Sequence, residues 1–281
     1  EPMAGDSTML NCYVMLTKSK HKSISFELDG TNSAGDLGAA ASVSFQHRNL
    51  FHGSETFMMK FRGAYEAITG LQGDYRNNNY TEYGVETSIN FPSFLLNSDF
   101  KRKIKATTEF GLQYSYQLRP EFSRTVASAS WSYKWTQRQR AQHRIDLIDI
   151  GYLYLPWISN KFREDYINKG QNHIFEYNYK NRLIARMGYS YNFNSAGNSL
   201  VNNTISSNSY SIRANIESAG NILYAFSKAT GIRKNDDNEY AILGIPYAQY
   251  LKGDFDFAKN IRIDHRNSLA FHAGFGIAVP Y

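Results

Sequence analysis

Residues 106–118 alternate between apolar and polar side chains without an error. Ala106, Thr108, Phe110, Leu112, Tyr114, Tyr116 and Leu118 fall on one side, and Thr107, Glu109, Gly111, Gln113, Ser115 and Gln117 on the other. A β-strand turns successive side chains to opposite faces, so this run reads as a strand with one greasy and one wet face. Its length of about thirteen residues exceeds the ~5–6 of a soluble strand and matches the roughly ten that a tilted strand needs to cross a bilayer. The pattern recurs in eleven stretches of the chain. Together they predict the wall of an outer-membrane barrel.

The bulk composition permits this. Mean hydropathy is −0.50, and no apolar run approaches the ~18 residues of a membrane helix. A barrel shows lipid only every second residue, which keeps its average low. Aromatic residues reach 15%, with 21 Tyr, 18 Phe and 3 Trp, as interfacial girdles require. The single cysteine, Cys12, allows no internal disulfide and reads as a small core residue. Glu1-Pro2-Met3 lacks the basic start and apolar core of a signal peptide. Val279-Pro280-Tyr281 stops inside a strand pattern, so the sequence reads as truncated at both ends.

Residues 10–16 read as a short strand preceding the barrel, and Lys18 to Lys22 as a basic hinge. The first barrel strand is read at 23–29, with Ile24, Phe26 and Leu28 as its apolar face. Later faces centre on Val43, Phe61, Val85, Leu112, Trp131, Ile150, Tyr189, Ile212, Phe255 and Phe275. The seventh stretch, 144–156, slips phase near Asp149, which predicts a bulge. Connections at 47–54, 97–101, 136–142 and 259–267 are short or moderate. Those at 30–36, 70–79, 158–172 and 218–246 are mostly longer and rich in Gly, Asn and Asp. This rough alternation fits periplasmic turns and extracellular loops, although 194–208 is long for a turn. Eleven strands do not close a barrel with an even strand number, and an open sheet in lipid leaves backbone groups unpaired. Further strands are therefore expected after Tyr281.

Four segments, in order, resemble the BamA/TamA outer-membrane assembly family. His47-Arg48-Asn49-Leu50-Phe51-His52-Gly53-Ser54-Glu55 resembles the turn after that family's second barrel strand. Glu27 to Gly38 resembles its first hairpin, and Asn90-Phe91-Pro92-Ser93-Phe94 its turn after strand four. Gly274-Phe275-Gly276-Ile277-Ala278 resembles the strand leading into its sixth loop. Tyr179-Lys180-Asn181-Arg182 and His265-Arg266-Asn267-Ser268 point to the lipoprotein (TamL) branch. The resemblance implies an all-β transmembrane barrel of about sixteen strands, following periplasmic POTRA domains, whose first and last strands meet at a weak seam. On this mapping residues 1–20 end the last POTRA domain and 21–281 are the N-terminal part of the barrel. Ser23, Ile24, Ser25, Phe26, Glu27 and Leu28 form the seam strand. The implied function is insertion of other barrel proteins, without catalysis, cofactor or metal. The implied partners are client outer-membrane proteins, outer-membrane lipids including lipopolysaccharide, and a periplasm-spanning TamB-like protein. No nucleic acid is expected. The family's V-R-G-F/W motif falls beyond Tyr281.

The polar faces carry both signs of charge, among them Lys60, Glu86, Glu109, Lys134, Arg186, Arg213, Glu217, Lys252 and Asp256. They read as a selective conduit or, by preference, as a lumen satisfied by internal ion pairs, since an unpaired buried charge is costly. Seven histidines show no metal-ligand spacing, and no G-x-S-x-G elbow exists. The rival readings are a passive channel or secretion pore, and a barrel enzyme.

Three expectations follow from these residues. Strand 23–29 is short and forms an exposed or weakly paired edge, where proline at Ser25 or Glu27 removes a ladder donor. Trp131 and Trp135 face lipid while Ser130 and Lys134 face the lumen. The periplasmic rim is basic. Spans 17–22, 47–54, 97–105, 136–144 and 258–267 hold Lys18, Lys20, Lys22, Arg48, Lys101, Arg102, Lys103, Lys105, Arg138, Arg140, Arg144, Lys259, Arg262 and Arg266. Only Asp99 and Asp264 oppose them, so these spans outweigh the +6 of the whole chain. Such a rim attracts anionic headgroups or an acidic partner, unless its residues simply snorkel at the membrane edge.

Overall fold

The computed structural model describes residues 2–3, 6–10, 13–15, 20–33, 36–69, 79–95, 106–164, 179–196, 208–232, 234–235, 239–242, 244–264 and 266–281. Eleven long strands form one antiparallel sheet in strict chain order. They are β1 (Lys22–Ser33), β2 (Asp36–Arg48), β3 (Thr56–Ala67), β4 (Asn79–Phe91), β5 (Ala106–Leu118) and β6 (Phe122–Gln137). These continue as β7 (Ala141–Ile158), β8 (Arg182–Asn194), β9 (Asn208–Ala219), β10 (Tyr250–Arg262) and β11 (Ser268–Pro280). The sheet is open: β1 pairs only with β2, and β11 only with β10. No helix among the described residues is long and apolar enough to cross a membrane, which leaves strand-built crossings untouched.

Register joins the greasy faces into one surface. A single row runs Phe26, Val43, Phe61, Val85, Tyr114, Ala127, Tyr152 and Leu183. A second runs Tyr191, Ala214, Phe255 and Phe275. This surface carries large exposed side chains; Phe26 is 77% and Leu28 85% exposed. Few residues of the sheet are fully buried, so its stability rests on the ladder and on cross-strand pairs rather than on a central core.

Two departures from regular pairing keep that surface apolar. Trp131 pairs with Ile148 and Ser132 with Asp146, leaving Leu147 as an extra residue in β7. The bulge reverses the strand's phase, so Ile145 before it and Ile148 after it share a face. It lies two residues before the phase slip read at Asp149. The second shift falls between Ser123 and Thr125 of β6, opposite Leu155 and Pro156. Proline has no ladder N–H to offer, and a bulge accommodates it; the Leu155 N–H donates instead to Asn181 Oδ1 at 2.8 Å.

Elsewhere the structure departs from the sequence expectations. Of the strand read at 10–16, Leu10 ends a short N-terminal ladder that pairs Pro2–Met3 with Asp6–Leu10, and Tyr13–Met15 lie outside any strand. Leu16 and Cys12 are outside the described residues. The first barrel strand is not short. Gly30 to Ser33, read as loop because their composition is polar, continue the ladder to Ser33↔Asp36.

The β9–β10 connection folds back on the sheet. It contains helix α1 (Asn221–Ala229) and a small hairpin, Ala241–Ile242 with Ile245–Pro246. Beyond the end of β9, Tyr247 makes a parallel bridge to Leu183 of β8, and the Ala248 N–H donates to the Leu183 carbonyl at 3.0 Å. Gly220 makes the turn into α1 at φ 74°, and a Cβ there would lie 2.3 Å from the Ala248 oxygen. Only glycine meets both demands.

Because Leu147 is the extra residue of the bulge, its deletion leaves Ile145 and Ile148 two positions apart on the apolar face and keeps Arg144 and Asp146 on the charged one. The deletion is therefore expected to fold into detergent micelles, read as a retained β circular-dichroism signal. Leu147→Ala, which keeps the extra residue, is expected to fold.

Candidate functional site: the open edge and the basic end

The β1 edge can be resolved residue by residue. The Arg48 N–H donates to the His21 carbonyl at 2.7 Å, and β1 pairs with β2 so that Lys22 faces His47. In an antiparallel ladder hydrogen-bonded and non-bonded pairs alternate. The parity that bonds His21 to Arg48 therefore bonds Ser23 to Gln46, Ser25 to Ser44 and Glu27 to Ser42. The N–H and C=O groups of Ile24, Phe26 and Leu28 then point away from β2, along the free edge. This corrects the proline expectation: Ser25 and Glu27 spend their backbone donors on β2, and the edge donors belong to the apolar residues. The edge strand is also not weakly held on its inner side, since all twelve residues of β1 pair with β2. Its polar side chains are tied inward as well. Glu27 accepts from the Ser42 hydroxyl at 3.2 Å and lies 3.8 Å from Lys60 Nζ.

The wet face of the sheet carries its charges in pairs. Lys134 bonds Glu109, and Arg144 sits 2.6 Å from Asp146. Arg186 bridges Asp149 at 2.6 Å and Glu217 at 4.0 Å. Lys252 meets Asp254 at 3.2 Å, and His272 meets Asp256 at 3.3 Å. Lys134–Glu109 and Arg186–Asp149 pair across neighbouring strands, which stabilises a sheet directly, whereas Arg144–Asp146 and Lys252–Asp254 pair along one strand. Trp131 pairs across to Phe110 and Ile148, and Trp135 to Ala106 and His143, on the apolar face. Ser130 and Lys134 lie on the charged one.

Aromatic rings cluster at two heights on the apolar face. Near one end lie Phe45 against Phe57, Phe91 against Phe110, and Trp135 stacked on His143 at 4.9 Å. Near the other, Tyr83 stacks on Tyr116 at 5.0 Å and Tyr152 on Tyr154 at 5.9 Å. From Tyr83 to Phe91 along β4 is about 27 Å at ~3.4 Å per residue. A tilt of ~40° converts this to roughly 21 Å, close to the ~25 Å apolar band of outer-membrane barrels.

The strand order gathers the connections 49–55, 138–140 and 263–267 at one end, as the basic-rim reading requires. Arg138 and Arg140 are exposed on the β6–β7 hairpin. Arg138 and Gln139 both have positive φ, 51° and 57°, the backbone of a tight turn that usually recruits Asn-Gly. Arg262 donates to the Asp264 carbonyl at 3.1 Å, and the exposed Arg266 gives its backbone N–H to the Asp264 carboxylate at 2.6 Å. Bonds from Asn267 and Arg266 hold the Asp264 carboxyl below its usual range. Lys101, Arg102, Lys103 and Lys105 lie outside the described residues.

The sequence motif at 47–55 ends on Glu55 but assigns it no role. Glu55 is buried and organises the 49–55 turn. Its Oε2 accepts the N–H groups of Phe51 at 3.1 Å and Gly53 at 3.0 Å, while Asn49 Oδ1 accepts from Ser54 at 2.8 Å. A Cβ on Gly53 would fall 2.1 Å from the Glu55 carboxylate. Asn49, Gly53 and Glu55, all within the stretch that carries the family resemblance, are thus one hydrogen-bonded device. Its sequence signal was the Asn-x-x-x-Gly-x-Glu spacing itself. Compared with protein-family models and with curated proteins, the chain matches none.

Burial works against the Glu55 carboxylate, but its own N–H and those of Gly53 and Phe51 outweigh it and hold the carboxyl below its ordinary value. A depressed carboxyl contributes stability above its unfolded value of about 4.3, and that contribution disappears as pH falls through the folded value. Glu55→Gln is therefore expected to unfold earlier than the wild type at neutral pH and to converge with it in acid. Urea titrations in micelles across that range check this.

Proposed function

We propose that this chain is the N-terminal part of a transmembrane β-barrel in the outer membrane of a Gram-negative bacterium, and that it assembles other barrel proteins through the β1 edge. The observation that carries the reading is the continuous exposed apolar face, bounded at two heights by aromatic rings, on a sheet whose other face holds paired charges. In water such a face is a liability; in lipid it is the solvent-facing surface. The assembly role follows the resemblance carried by Glu27 to Gly38 and His47 to Glu55. Ile24, Phe26 and Leu28 offer their main-chain groups outward, and an extended client segment can add there by β-augmentation. The basic end supports a periplasmic orientation toward anionic lipid or an acidic partner. A passive pore has the same wall, and the client-assembly assay below separates the two.

Membrane insertion and edge function are separable by experiment. With Trp135 and Trp157 replaced by Phe, brominated lipids are expected to quench Trp131; an unquenched Trp131 removes the membrane reading. Phe26→Pro deletes an outward N–H while leaving the β1–β2 bonds in place. In proteoliposomes it is expected to slow client assembly severalfold relative to Phe26→Ala, with the barrel still folded. Equal rates for the two variants would favour the passive pore.

A further inference from the structure

A pocket of about 670 Å³ opens on the wet face across β5 to β8, just inside the end where the β6–β7 hairpin turns. It falls within the ~300–1,000 Å³ of ordinary small-molecule sites. Lys134 of β6 stands directly opposite Arg144 of β7, with Thr107 and Ser190 on either side of them in the same row. Like charges placed directly opposite destabilise a ladder, so this register needs anions. Two are supplied, both from one side. Lys134 bonds Glu109, and Arg144 Nε donates to Asp146 at 2.6 Å. These carboxylates belong to the next wet-face row away from the hairpin, level with Ser132, and neither lines the pocket.

The pocket side holds donors and no acid. The bond from Arg144 to Asp146 uses Nε, and its two terminal amino groups make no hydrogen bond among the described residues. Nor do the side chains of Thr136, Gln142, Ser190 and Asn192. Nearer the hairpin, Asn192 stands opposite Arg213, and Arg213 opposite Asp256, which meets His272 at 3.3 Å. Arg138 and Arg140 are exposed on the hairpin itself. A guanidinium with its fork open takes two phosphate oxygens at once, and an ammonium and hydroxyls add donors to the same anion. A carboxylate offers two oxygens and one charge, whereas a phosphate monoester offers three and nearly two charges. Two adjacent cations with surplus donors match the phosphate, and the volume leaves room for the group that carries it.

We infer that this pocket binds a phosphate monoester, with Arg144 and Lys134 holding the phosphate and Ser190 and Thr136 supplying further donors. The inference does not depend on the assembly role or on the membrane, since it rests only on the pocket and its lining.

The test is isothermal titration calorimetry on the full chain in maltoside micelles, which carry no phosphate of their own. The probes are inorganic phosphate, glycerol 1-phosphate, dihexanoyl phosphatidate below its micelle concentration, and acetate. Saturable binding of inorganic phosphate and glycerol 1-phosphate is expected, weakening as salt rises. Arg144→Gln should weaken it about tenfold. Because loss of Arg144 can disturb the sheet, Asp146→Asn gives a reading in the opposite sense: it removes the competing charge and should tighten binding severalfold. Lys252→Gln probes the larger cleft beneath the β9–β10 connection, about 1560 Å³, whose lining includes Tyr224, Tyr240 and Arg182; it should leave binding unchanged. Tighter binding of the phosphatidate than of glycerol 1-phosphate assigns the phosphate to a lipid headgroup, and weaker binding assigns it to a soluble molecule; both support the site. Acetate binding as tight as phosphate overturns the inference. So does an affinity that neither Arg144→Gln nor Asp146→Asn changes, one that falls with Lys252→Gln instead, or the absence of saturation up to ~10 mM.

Discussion

A β-ladder conserves parity, and everything else in this molecule depends on that. Side chains repeat every two residues, so one apolar face survives eleven strands only if every register shift is compensated. The Leu147 extra residue is such a compensation. Were Leu147 paired as a regular ladder residue instead of bulged, Ile145 and Ile148 would lie on opposite faces, and so would Asp146 and Asp149. Hydrophobic burial does little of this work, because the large apolar side chains point outward.

The same parity explains the chemistry of the other face. Residues that alternate with the apolar set are forced together on one face, and there the opposite charges meet, across strands for Lys134 with Glu109 and Arg186 with Asp149 and along one strand for Lys252 with Asp254. A row of one sign would repel itself across a 5 Å spacing of strands. Parity also decides what the edge can do. Ile24, Phe26 and Leu28 carry both the greasy side chains and the free backbone groups of β1, so an added strand would meet both at alternate residues.

Irregular segments hold the functional detail. The 49–55 turn is built round one carboxylate, and the β9–β10 connection is held to β8 by Tyr247, Ala248 and Gly220. In each case a glycine stands where a neighbouring oxygen leaves no room for a side chain. The turn shapes the basic end, and the connection turns a flat wet face into a cleft.

Alternation at short range was enough to determine the strand class, ten of the apolar faces from Leu37 onward, and the side on which Trp131 and Ser130 lie, because side-chain direction is a local property of extended backbone. The polar end of β1 escaped it, since Gly30–Ser33 look like loop until β2 pairs with them, and Tyr13–Met15, within the alternation read at 10–16, lie outside any strand. The exact bulge residue, the outward parity of Phe26 and the role of Glu55 also required the tertiary structure. Each depends on which residue lies opposite, and hydrogen-bond partners across a ladder or a turn are relations between segments. The tyrosine-roofed cleft is the extreme case: Tyr224, Tyr240 and Arg182 are scattered in the sequence, and only the return of the β9–β10 connection onto β8 brings them to one place.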